Sequence, residues 1–233
     1  MENLDFSIVL PAYNESENLP DLVRSLKRVL NEANIKSEII VVDNGSNDNT
    51  AEILELLKKE IDELKNLRIE KNIGYGNGVI KGLEIAQGSI LGFMVADGQI
   101  KPEDLINIYQ KLRKNNLDFC KGLRMNRYGG LVRAVISKIY NCLIRLMFNC
   151  SIKDINGGPK IFTRNFYETV KPQSKDFFID AEILIKAKEN NFSVIEVPVV
   201  SLARKRGRST VSALTLLEFL RSMLYKFLFG KFK

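Results

Sequence analysis

The chain has 233 residues, of which 45% are hydrophobic and 27% charged, so it is long enough for one sizeable core and is not a disordered chain. The net charge of +7 favours an anionic partner, such as a phosphorylated ligand or an acidic membrane surface. The basic residues alternate with apolar helical faces and lack interleaved stacking aromatics, so we expect no nucleic-acid partner.

The N-terminal sequence MENLDFSIVLP is acidic and enters an apolar strand at once, without the basic segment and long apolar core of a signal peptide. No uncharged apolar run reaches about 18 residues, so we expect no conventional membrane span. The three cysteines, Cys120, Cys142 and Cys150, have no CxxC spacing, which favours reduced thiols over a disulfide framework or a zinc site. These features predict a cytoplasmic protein.

Predicted strands and helices alternate through the first half of the chain. Short apolar runs at 6–11, 37–43, 67–71, 89–96 and 117–124 predict buried strands, and residues with helical spacing lie between them. The alternation is typical of an α/β fold with a Rossmann-like, mostly parallel sheet flanked by helices. Such a sheet binds ligands at the carboxyl ends of its strands.

The second half is less regular. Its predicted elements are a helix at 130–148, a loop and short strand at 152–164, a helix at 180–190, a strand at 192–200, a basic loop at 204–210 and a mostly apolar helix at 212–229.

Polar residues follow the predicted strands where ligands are expected. In LPAYNE, the Tyr13 ring could stack on a base while Glu15 accepts hydrogen bonds, or the segment could only close the core. In VVDNGSNDNT, Asp43 could accept from a nucleobase imide or serve as a turn and cap residue. The glycines of NIGYGNG, which follow the third strand, favour a tight turn and close helix packing over a phosphate loop.

The stretch GFMVADGQ ends a predicted strand at an acid. Asp97 could be an ordinary turn residue, since it precedes Gly98. Alternatively, Asp97 and Gln99 could supply hard oxygen ligands to a divalent cation that bridges a diphosphate.

The order of these motifs resembles the inverting glycosyltransferases of the GT-A fold, and most closely the polyprenyl-phosphate sugar synthases of the dolichyl-phosphate mannose or glucose synthase type. After LPAYNE, VVDNGS, N-x-G-x-G and the acid followed by Gln, the motifs G-x-R, KDINGGPKIFTR, FIDAEIL, EVPV and RKRGRST continue the family's order. The resemblance extends to about Val211. It implies a GT-A domain at 1–211 and a separate amphipathic docking helix at 212–233.

The resemblance also implies roles for individual residues. Catalysis would rest on Asp97, Arg124, Arg133 and Arg204. The residues that would bind the nucleotide are Pro11, Ala12, Tyr13, Glu15, Asp43, Ala96 and Asp97. Mg²⁺ or Mn²⁺ would be held by Asp97 and Gln99. The acceptor phosphate would be met by Arg124, Arg133 and Ser137. A donor loop would be formed by Arg204, Arg206, Gly207, Arg208 and Ser209.

The chain departs from the family pattern at three positions. Val95 stands where a first acid is usual, Asn44 where a second acid follows VVD, and Thr210 where a lysine is common. The first departure bears on metal binding, and the last removes a cation that Arg206 and Arg208 could replace.

The chain contains no histidine, so a base for a hydroxyl acceptor would have to be Asp, Glu or Lys. A phosphate acceptor needs no base, because its oxygens are already anionic near neutral pH. The absence of histidine is compatible with such an acceptor. The resemblance implies transfer of a hexose from GDP-mannose or UDP-glucose to a polyprenyl phosphate with inversion. Two alternatives remain open: transfer to a saccharide hydroxyl, with Asp154, Asp180 or Glu182 as base, and a non-catalytic nucleotide-sugar-binding subunit.

The last predicted helix has a broad apolar face, interrupted by Glu218, Arg221 and Lys226. These charges argue against a membrane span, so we expect the helix to lie on the cytoplasmic face of a membrane, with Lys231 and Lys233 near anionic headgroups. Docking on a membrane subunit or a second copy of the chain, or packing on the core, are the alternatives.

Overall fold

The computed structural model describes residues 4–126, 130–204 and 213–230, without the side chains of 130–136 and 213–220. Over these ranges the chain forms one seven-stranded sheet with helices on both faces. The strands are β1 (Phe6–Ala12), β2 (Ser37–Asn44), β3 (Leu64–Ile69), β4 (Ile90–Phe93), β5 (Phe119–Arg124), β6 (Lys160–Thr163) and β7 (Val194–Val199). The helices are α1 (Leu19–Glu32), α2 (Thr50–Glu60), α3 (Tyr75–Ile85), α4 (Pro102–Lys114), α5 (Gly130–Phe148), α6 (Arg164–Val170), α7 (Ile179–Glu189) and α8 (Ala213–Phe229).

The strand order is β3-β2-β1-β4-β6-β5-β7. Every neighbouring pair is parallel except those made by β6, which runs antiparallel to β4 and β5. The prediction of a mostly parallel sheet is therefore confirmed. Strands β2 and β3 lie on one side of β1, and β4 lies on the other, so the strand order reverses at β1. Open α/β sheets bind ligands at such a reversal.

Two apolar layers hold the helices to the sheet. Helix α1 packs with α2 and α4 on one face. Its buried residues have the helical spacing of three and four: Leu19, Leu22, Val23, Leu26, Val29 and Leu30. Helices α3, α6 and α7 cover the other face, where Phe162 contacts the rings of Phe93, Phe119 and Phe166. Burial of this apolar area is the main stabilising term of the fold.

Several predicted boundaries differ from the structure. Strand β4 ends at Phe93 and not at Ala96, because its antiparallel partner β6 reaches no further along it. Helix α6 was not predicted; it is only seven residues long and begins where the Thr163 hydroxyl accepts a hydrogen bond from the backbone N–H of Phe166. Helix α4 begins at Pro102, a residue that suits the first turn of a helix.

The cysteines are free thiols, as predicted: Cys120 and Cys150 are buried and Cys142 is exposed. Among the helices in the described ranges, none is long and apolar enough to cross a membrane.

Candidate functional site

The structure places the five polar residues singled out from the sequence at the carboxyl ends of strands. Tyr13 and Glu15 follow β1, and Asp43 is the residue that pairs with Ala12 across β1 and β2. Asp97 lies four residues beyond β4, and Arg124 is the last residue of β5. Pro11, Ala12 and Ala96 are near the same edge of the sheet, and all three are buried.

Glu15 joins the end of β1 to the segment after β7. One carboxylate oxygen accepts from Asn18 Nδ2 at 2.6 Å, and the other accepts from the guanidinium of Arg204. Burial raises the pKa of the Glu15 carboxyl, while Asn18 and Arg204 lower it in part. The first residue of the predicted donor loop therefore lies against the first sequence motif.

Asp43 is nearly inaccessible, with an exposed fraction of 1%. Its Oδ1 accepts from the backbone N–H of Ser46 at 2.9 Å, which forms the turn that the sequence allowed. Its Oδ2 is buried and accepts no hydrogen bond from the described residues, and Arg68 Nε lies 3.8 Å from it. The turn role thus uses one oxygen of Asp43 and leaves the other for a donor.

Asn44, which replaces a usual acid, has a structural role. Its Nδ2 donates to Asn72 Oδ1 at 3.1 Å and to the carbonyl oxygen of Gly74 at 2.9 Å. A carboxylate has no N–H to donate, so an acid could not make these bonds. The amide therefore fixes the glycine-rich turn to the end of β2.

The glycine-rich turn passes very close to the segment at 174–176. A Cβ atom at Gly74 would lie 2.3 Å from the carbonyl oxygen of Lys175, and one at Gly76 would lie 2.1 Å from that of Ser174. Gly74 also has a φ of +122°. The interpretation of these glycines as packing and turn residues is confirmed.

The turn after β4 is tied to the segment that leads to Arg204. The backbone N–H of Gln99 donates to Asp97 Oδ1 at 3.0 Å, with Gly98 between them at φ +67°. The Gln99 side chain donates through Nε2 to the carbonyl oxygen of Leu202 at 2.9 Å, and the backbone N–H of Leu202 donates to the Gln99 carbonyl oxygen at 2.7 Å. Asp97 thus acts as a turn residue, and its turn is bound to the segment that leads to Arg204.

The Asp97 turn suits a divalent cation that needs only one carboxylate from the protein. No group of three His, Cys, Asp or Glu residues that could hold a metal occurs in the described ranges, and Val95 is 46% exposed at the position where an acid is usual. Mg²⁺ is often bound through one or two carboxylates, with substrate phosphates and waters completing its shell. The single carboxylate of Asp97 suits such a site. Gln99 could add its amide oxygen, since an amide nitrogen has no lone pair available to a metal.

Arg124 is held by a buried carboxylate. Its Nε and Nη2 each donate to Asp154 at 2.8 Å, in a bidentate pair. Burial alone would lower the pKa of Arg124, but the hydrogen bonds that it donates to Asp154 and the negative charge of that carboxylate outweigh burial, so the pKa is raised. A guanidinium has five N–H donors, so this pair orients Arg124 while using only two of them.

Other predicted site residues are less well defined. Ser137 lies partly buried on α5, while the side chain of Arg133 on the same helix falls outside the described side chains. Arg206, Gly207, Arg208 and Ser209 lie outside the described residues.

A buried cluster of charged side chains lies beside Arg124, and the sequence analysis did not predict it. Lys121 and Lys160 are directly opposite each other on β5 and β6, and both are buried. Lys160 Nζ donates to Asp180 at 2.8 Å, and Lys121 Nζ lies 3.5 Å from Glu196 and donates to the carbonyl oxygen of Asp154. Burial, with the like charge of Lys160, lowers the pKa of Lys121 to about 8. A lysine flanked by Cys and Gly in an apolar strand was the available signal.

Each acid named as a candidate base has structural partners. Asp154 pairs with Arg124 and Asp180 with Lys160. Glu182 accepts from the backbone N–H groups of Gln173 and Ser174 at 2.8 and 2.6 Å, and from Lys186 at 2.6 Å. All three are buried, so none presents a carboxylate ready to deprotonate a hydroxyl.

Helix α8 is anchored on one side and exposed on the other. Met223 is buried, and Lys226 is also buried and pairs with Glu189 of α7 at 3.0 Å. Four apolar side chains at the end of the helix are about half exposed or more: Leu224, Phe227, Leu228 and Phe229. Lys226, read from the sequence as interrupting the apolar face, instead anchors the helix.

Comparison with known proteins gives the site a context. The family described as Glycosyl transferase family 2 matches residues 7–171. Glycosyltransferase AglD of Haloferax volcanii is 30% identical over 205 residues, covering 84% of this chain and 33% of that protein. Dolichol-phosphate mannosyltransferase of Pyrococcus furiosus is 34% identical over 223 residues, covering 92% of this chain and 61% of that protein. Dolichyl-phosphate beta-glucosyltransferase of Dictyostelium discoideum is 28% identical over 218 residues, covering 85% and 67%.

The chain thus spans between a third and two thirds of the length of these curated relatives. Among solved structures, glucosyl-3-phosphoglycerate synthase from Mycobacterium tuberculosis in complex with uridine diphosphate superposes with a TM-score of 0.73, at 18% identity, over 97% of this chain and 79% of that one. The same enzyme with Mn²⁺, UDP-glucose and phosphoglyceric acid gives a TM-score of 0.74, at 18% identity, over 96% and 79%. These likenesses concern the fold, and they confirm the GT-A prediction.

Proposed function

Because the chain belongs to glycosyl transferase family 2, we propose that it moves a hexose from a nucleotide sugar to a polyprenyl phosphate with inversion at the anomeric carbon. Two of the similar proteins, from Pyrococcus furiosus and Dictyostelium discoideum, are named as dolichyl- or dolichol-phosphate sugar transferases. Their names motivate the choice of acceptor, and the chemistry of the site supports it.

The observation that carries this proposal is that the candidate bases already have hydrogen-bond or ion-pair partners within the protein. Asp154, Asp180 and Glu182 are buried and bound to cations or backbone N–H groups. A hydroxyl acceptor would need a base to remove its proton, and these candidate carboxylates are engaged, whereas a phosphate oxygen is already anionic near neutral pH. The phosphate acceptor is therefore favoured over a saccharide hydroxyl.

The nucleotide is proposed to bind at the ends of β1 and β2. Tyr13 would stack on the base, Asp43 would accept from it, and Glu15 would contact the sugar. Pro11, Ala12 and Ala96 would form the floor beneath the ligand. Arg204, with Arg206, Gly207, Arg208 and Ser209, would close on the diphosphate and neutralise it.

A Mg²⁺ or Mn²⁺ ion is proposed to be held by Asp97, with the amide oxygen of Gln99 and oxygens of the diphosphate. When bound, the ion would stabilise negative charge on the leaving diphosphate. Structures of the Mycobacterium tuberculosis synthase are described with Mn²⁺ or Mg²⁺ and UDP.

The acceptor phosphate is proposed to lie against Arg124, Arg133 and Ser137. Arg124 is oriented by Asp154, so its remaining N–H donors are fixed in direction before the acceptor arrives. A phosphate oxygen attacks the anomeric carbon, and the bond from that carbon to the diphosphate oxygen breaks on the opposite side. The nucleoside diphosphate leaves with the bonding electrons, which inverts the configuration.

The lipid is proposed to be reached from the cytoplasmic face of a membrane. Helices α5 and α8 contact each other through Phe148 and Phe227, with ring centroids 6.2 Å apart, and both carry exposed apolar side chains. On α5, Leu146 is 75% exposed. Such a face suits the interface between headgroups and acyl chains. A membrane subunit or a second copy of the chain could share this surface.

The test is an acceptor panel. The full chain is mixed with UDP-glucose or GDP-mannose and, in turn, polyprenyl phosphate, the unphosphorylated polyprenol and a free saccharide, in detergent with Mn²⁺. We expect release of nucleoside diphosphate and glycosylation with polyprenyl phosphate only. Transfer to the saccharide would support the hydroxyl-acceptor alternative, and binding without transfer to any acceptor would support a non-catalytic subunit.

A further inference from the structure

Lys121 lies three residues before Arg124 on β5 and is completely buried. Both residues bind Asp154: Lys121 Nζ donates to its backbone carbonyl oxygen, and Arg124 donates to its carboxylate. We propose that Lys121 is a positioning residue for transfer, because together with Glu196 it fixes Asp154 and thereby sets the direction of Arg124. The proposal rests on the proposed function, in which Arg124 meets the acceptor phosphate.

The position of Asp154 depends on side chains from other elements. The residue lies between α5 and β6, outside any helix or strand. Glu196 of β7 accepts from two successive backbone N–H groups there, from Lys153 at 2.8 Å and from Asp154 at 2.9 Å. Lys121 of β5 donates to the carbonyl oxygen of Asp154. Both backbone polar groups of Asp154 are therefore bound by side chains of the sheet.

Lys121 and Glu196 also bind each other. They are register partners across β5 and β7, and Lys121 Nζ lies 3.5 Å from Glu196 Oε1. Because Lys121 and Arg124 belong to the same strand, one rigid element carries both the cation that holds the Asp154 backbone and the guanidinium that the Asp154 carboxylate orients. Sites supported by strands keep their geometry better than sites supported by loops.

The packing around the Lys121 ammonium leaves it little freedom. A Cβ atom at Gly157 would lie 2.9 Å from Lys121 Nζ, 2.9 Å from Asp154 Oδ2 and 2.2 Å from the carbonyl oxygen of Gly122. Lys121 Nζ also donates to that Gly122 oxygen at 2.9 Å. A buried ammonium loses the free energy of hydration, and its partners offset that loss only in good geometry. Lys121 therefore contributes a defined arrangement more than it contributes stability.

Arg124 transmits this arrangement to the acceptor. Its side chain is 26% exposed, whereas the Asp154 side chain is 1% exposed, so Arg124 is the member of the pair that a phosphate could reach. Asp154 holds Arg124 through Nε and Nη2, which fixes the direction of the remaining N–H donors. A misplacement of about 1 Å in such a group can lower the rate about a hundredfold. Lys121 can thus affect the acceptor without touching it.

The test measures transfer to polyprenyl phosphate by the full chain, together with UDP binding by calorimetry. Lys121→Met keeps a long unbranched side chain and removes the N–H donors. We expect the KM for polyprenyl phosphate to rise about tenfold, while UDP affinity stays within about twofold of the wild type. A variant that only lost stability would contain less active protein, so its kcat would fall and its KM would stay the same.

Glu196→Gln tests the same link with a smaller change, so the result does not depend on the folding of Lys121→Met. The amide replaces one carboxylate oxygen, which leaves one of the backbone N–H groups at 153–154 without its acceptor. We expect the KM for polyprenyl phosphate to rise about fivefold. In an Arg124→Gln background, Lys121→Met should raise KM by less than about twofold further, because its effect passes through Arg124.

The matched control is Lys65→Met. Lys65 pairs with the buried carboxylate of Glu38 at 2.6 Å, near the start of β3 and therefore at the opposite edge of the sheet from the site. The substitution also takes a lysine away from a buried acid, and it should leave the KM for polyprenyl phosphate unchanged.

Three results would overturn the proposal while leaving the transferase function intact. They are an unchanged KM in Lys121→Met or Glu196→Gln, an equal rise in Lys65→Met, and a further tenfold rise when Lys121→Met is added to Arg124→Gln. Absence of transfer to polyprenyl phosphate by the wild type would instead overturn the proposed function, and with it this proposal.

Discussion

Gln99 and Leu202 are joined by two hydrogen bonds, one from the backbone N–H of Leu202 to the Gln99 carbonyl oxygen at 2.7 Å and one from Gln99 Nε2 to the Leu202 carbonyl oxygen at 2.9 Å. Gln99 follows Asp97 by two residues, and Leu202 precedes Arg204 by two. The pair therefore fixes the position of the proposed metal turn relative to the start of the proposed donor loop. Arg204 in turn reaches Glu15 at the end of β1.

Replacing Gln99 by Glu separates two roles of this side chain. The change keeps an oxygen that can bind a metal but removes the N–H donated to Leu202, and it places a carboxylate against a carbonyl oxygen. We expect UDP affinity in the presence of Mn²⁺ to fall about tenfold, measured by calorimetry. An affinity equal to or above that of the wild type would mean that Gln99 acts only as a metal ligand.

Replacing Val95 by Asp should strengthen metal binding. Val95 is 46% exposed, so the substitution leaves the core intact, and it adds a second hard ligand near Asp97. We expect the affinity for Mn²⁺ in the presence of UDP to rise about tenfold. Leu56→Asp, at an exposed position on α2, introduces the same charge away from the turn and serves as the control. An equal change in both variants would show that only net charge matters.

Replacing Asn44 by Asp should destabilise the fold. The variant loses the two hydrogen bonds that Asn44 donates to Asn72 and Gly74 and faces their oxygens with a negative charge. We expect the free energy of unfolding in urea to drop by about 2 kcal/mol. Asn49→Asp, at an exposed position just before α2 where the side chain makes no capping hydrogen bond, should be nearly neutral. Similar values for the two variants would remove the structural explanation for Asn44.

Lys121 should make stability depend on pH. Burial lowers its pKa from 10.5 to about 8, so between these values the unfolded chain holds a proton that the folded chain has lost. Lys121 therefore makes the fold more stable as the pH rises from about 8 to 10.5, and it destabilises the fold most below about pH 8. Relative to Lys121→Met, we expect the wild type to gain about 2 kcal/mol between about pH 7 and about pH 10.

The control for this experiment is Lys81→Met, at an exposed position on α3 where Lys81 pairs with Glu84. The difference between wild type and this control should stay nearly flat with pH. A flat difference for Lys121→Met as well would mean that Lys121 is not desolvated in the folded protein.

The sequence predicted the edge of the sheet at which the site forms, because alternating strands and helices constrain which ends of the strands carry loops. That edge carries Tyr13, Asp43, Asp97 and Arg124, so the order of the elements is enough to group these residues. The helical spacing of α1 likewise predicted its buried face, since that face depends only on local periodicity.

Other features depend on contacts between distant residues, which local sequence patterns do not specify. The four residues of β6 carry no signal for their antiparallel direction, which arises from pairing with β4 and β5. Lys121 and Lys160 would be assigned to the surface by residue type, yet they are opposite each other in the core. The role of Asn44 depends on Gly74, thirty residues along the chain.

The central claim is that the acceptor's nucleophile is a lipid phosphate. Its most direct test is to incubate the full chain with an α-linked sugar nucleotide and polyprenyl phosphate, and to determine the linkage of the product by mass spectrometry and NMR. We expect a β-linked glycosyl phosphodiester of the lipid, formed in amounts equal to the nucleoside diphosphate released, and no product with a folded Asp97→Asn variant. A product linked through a hydroxyl oxygen, or one that retains the α configuration, would contradict the account.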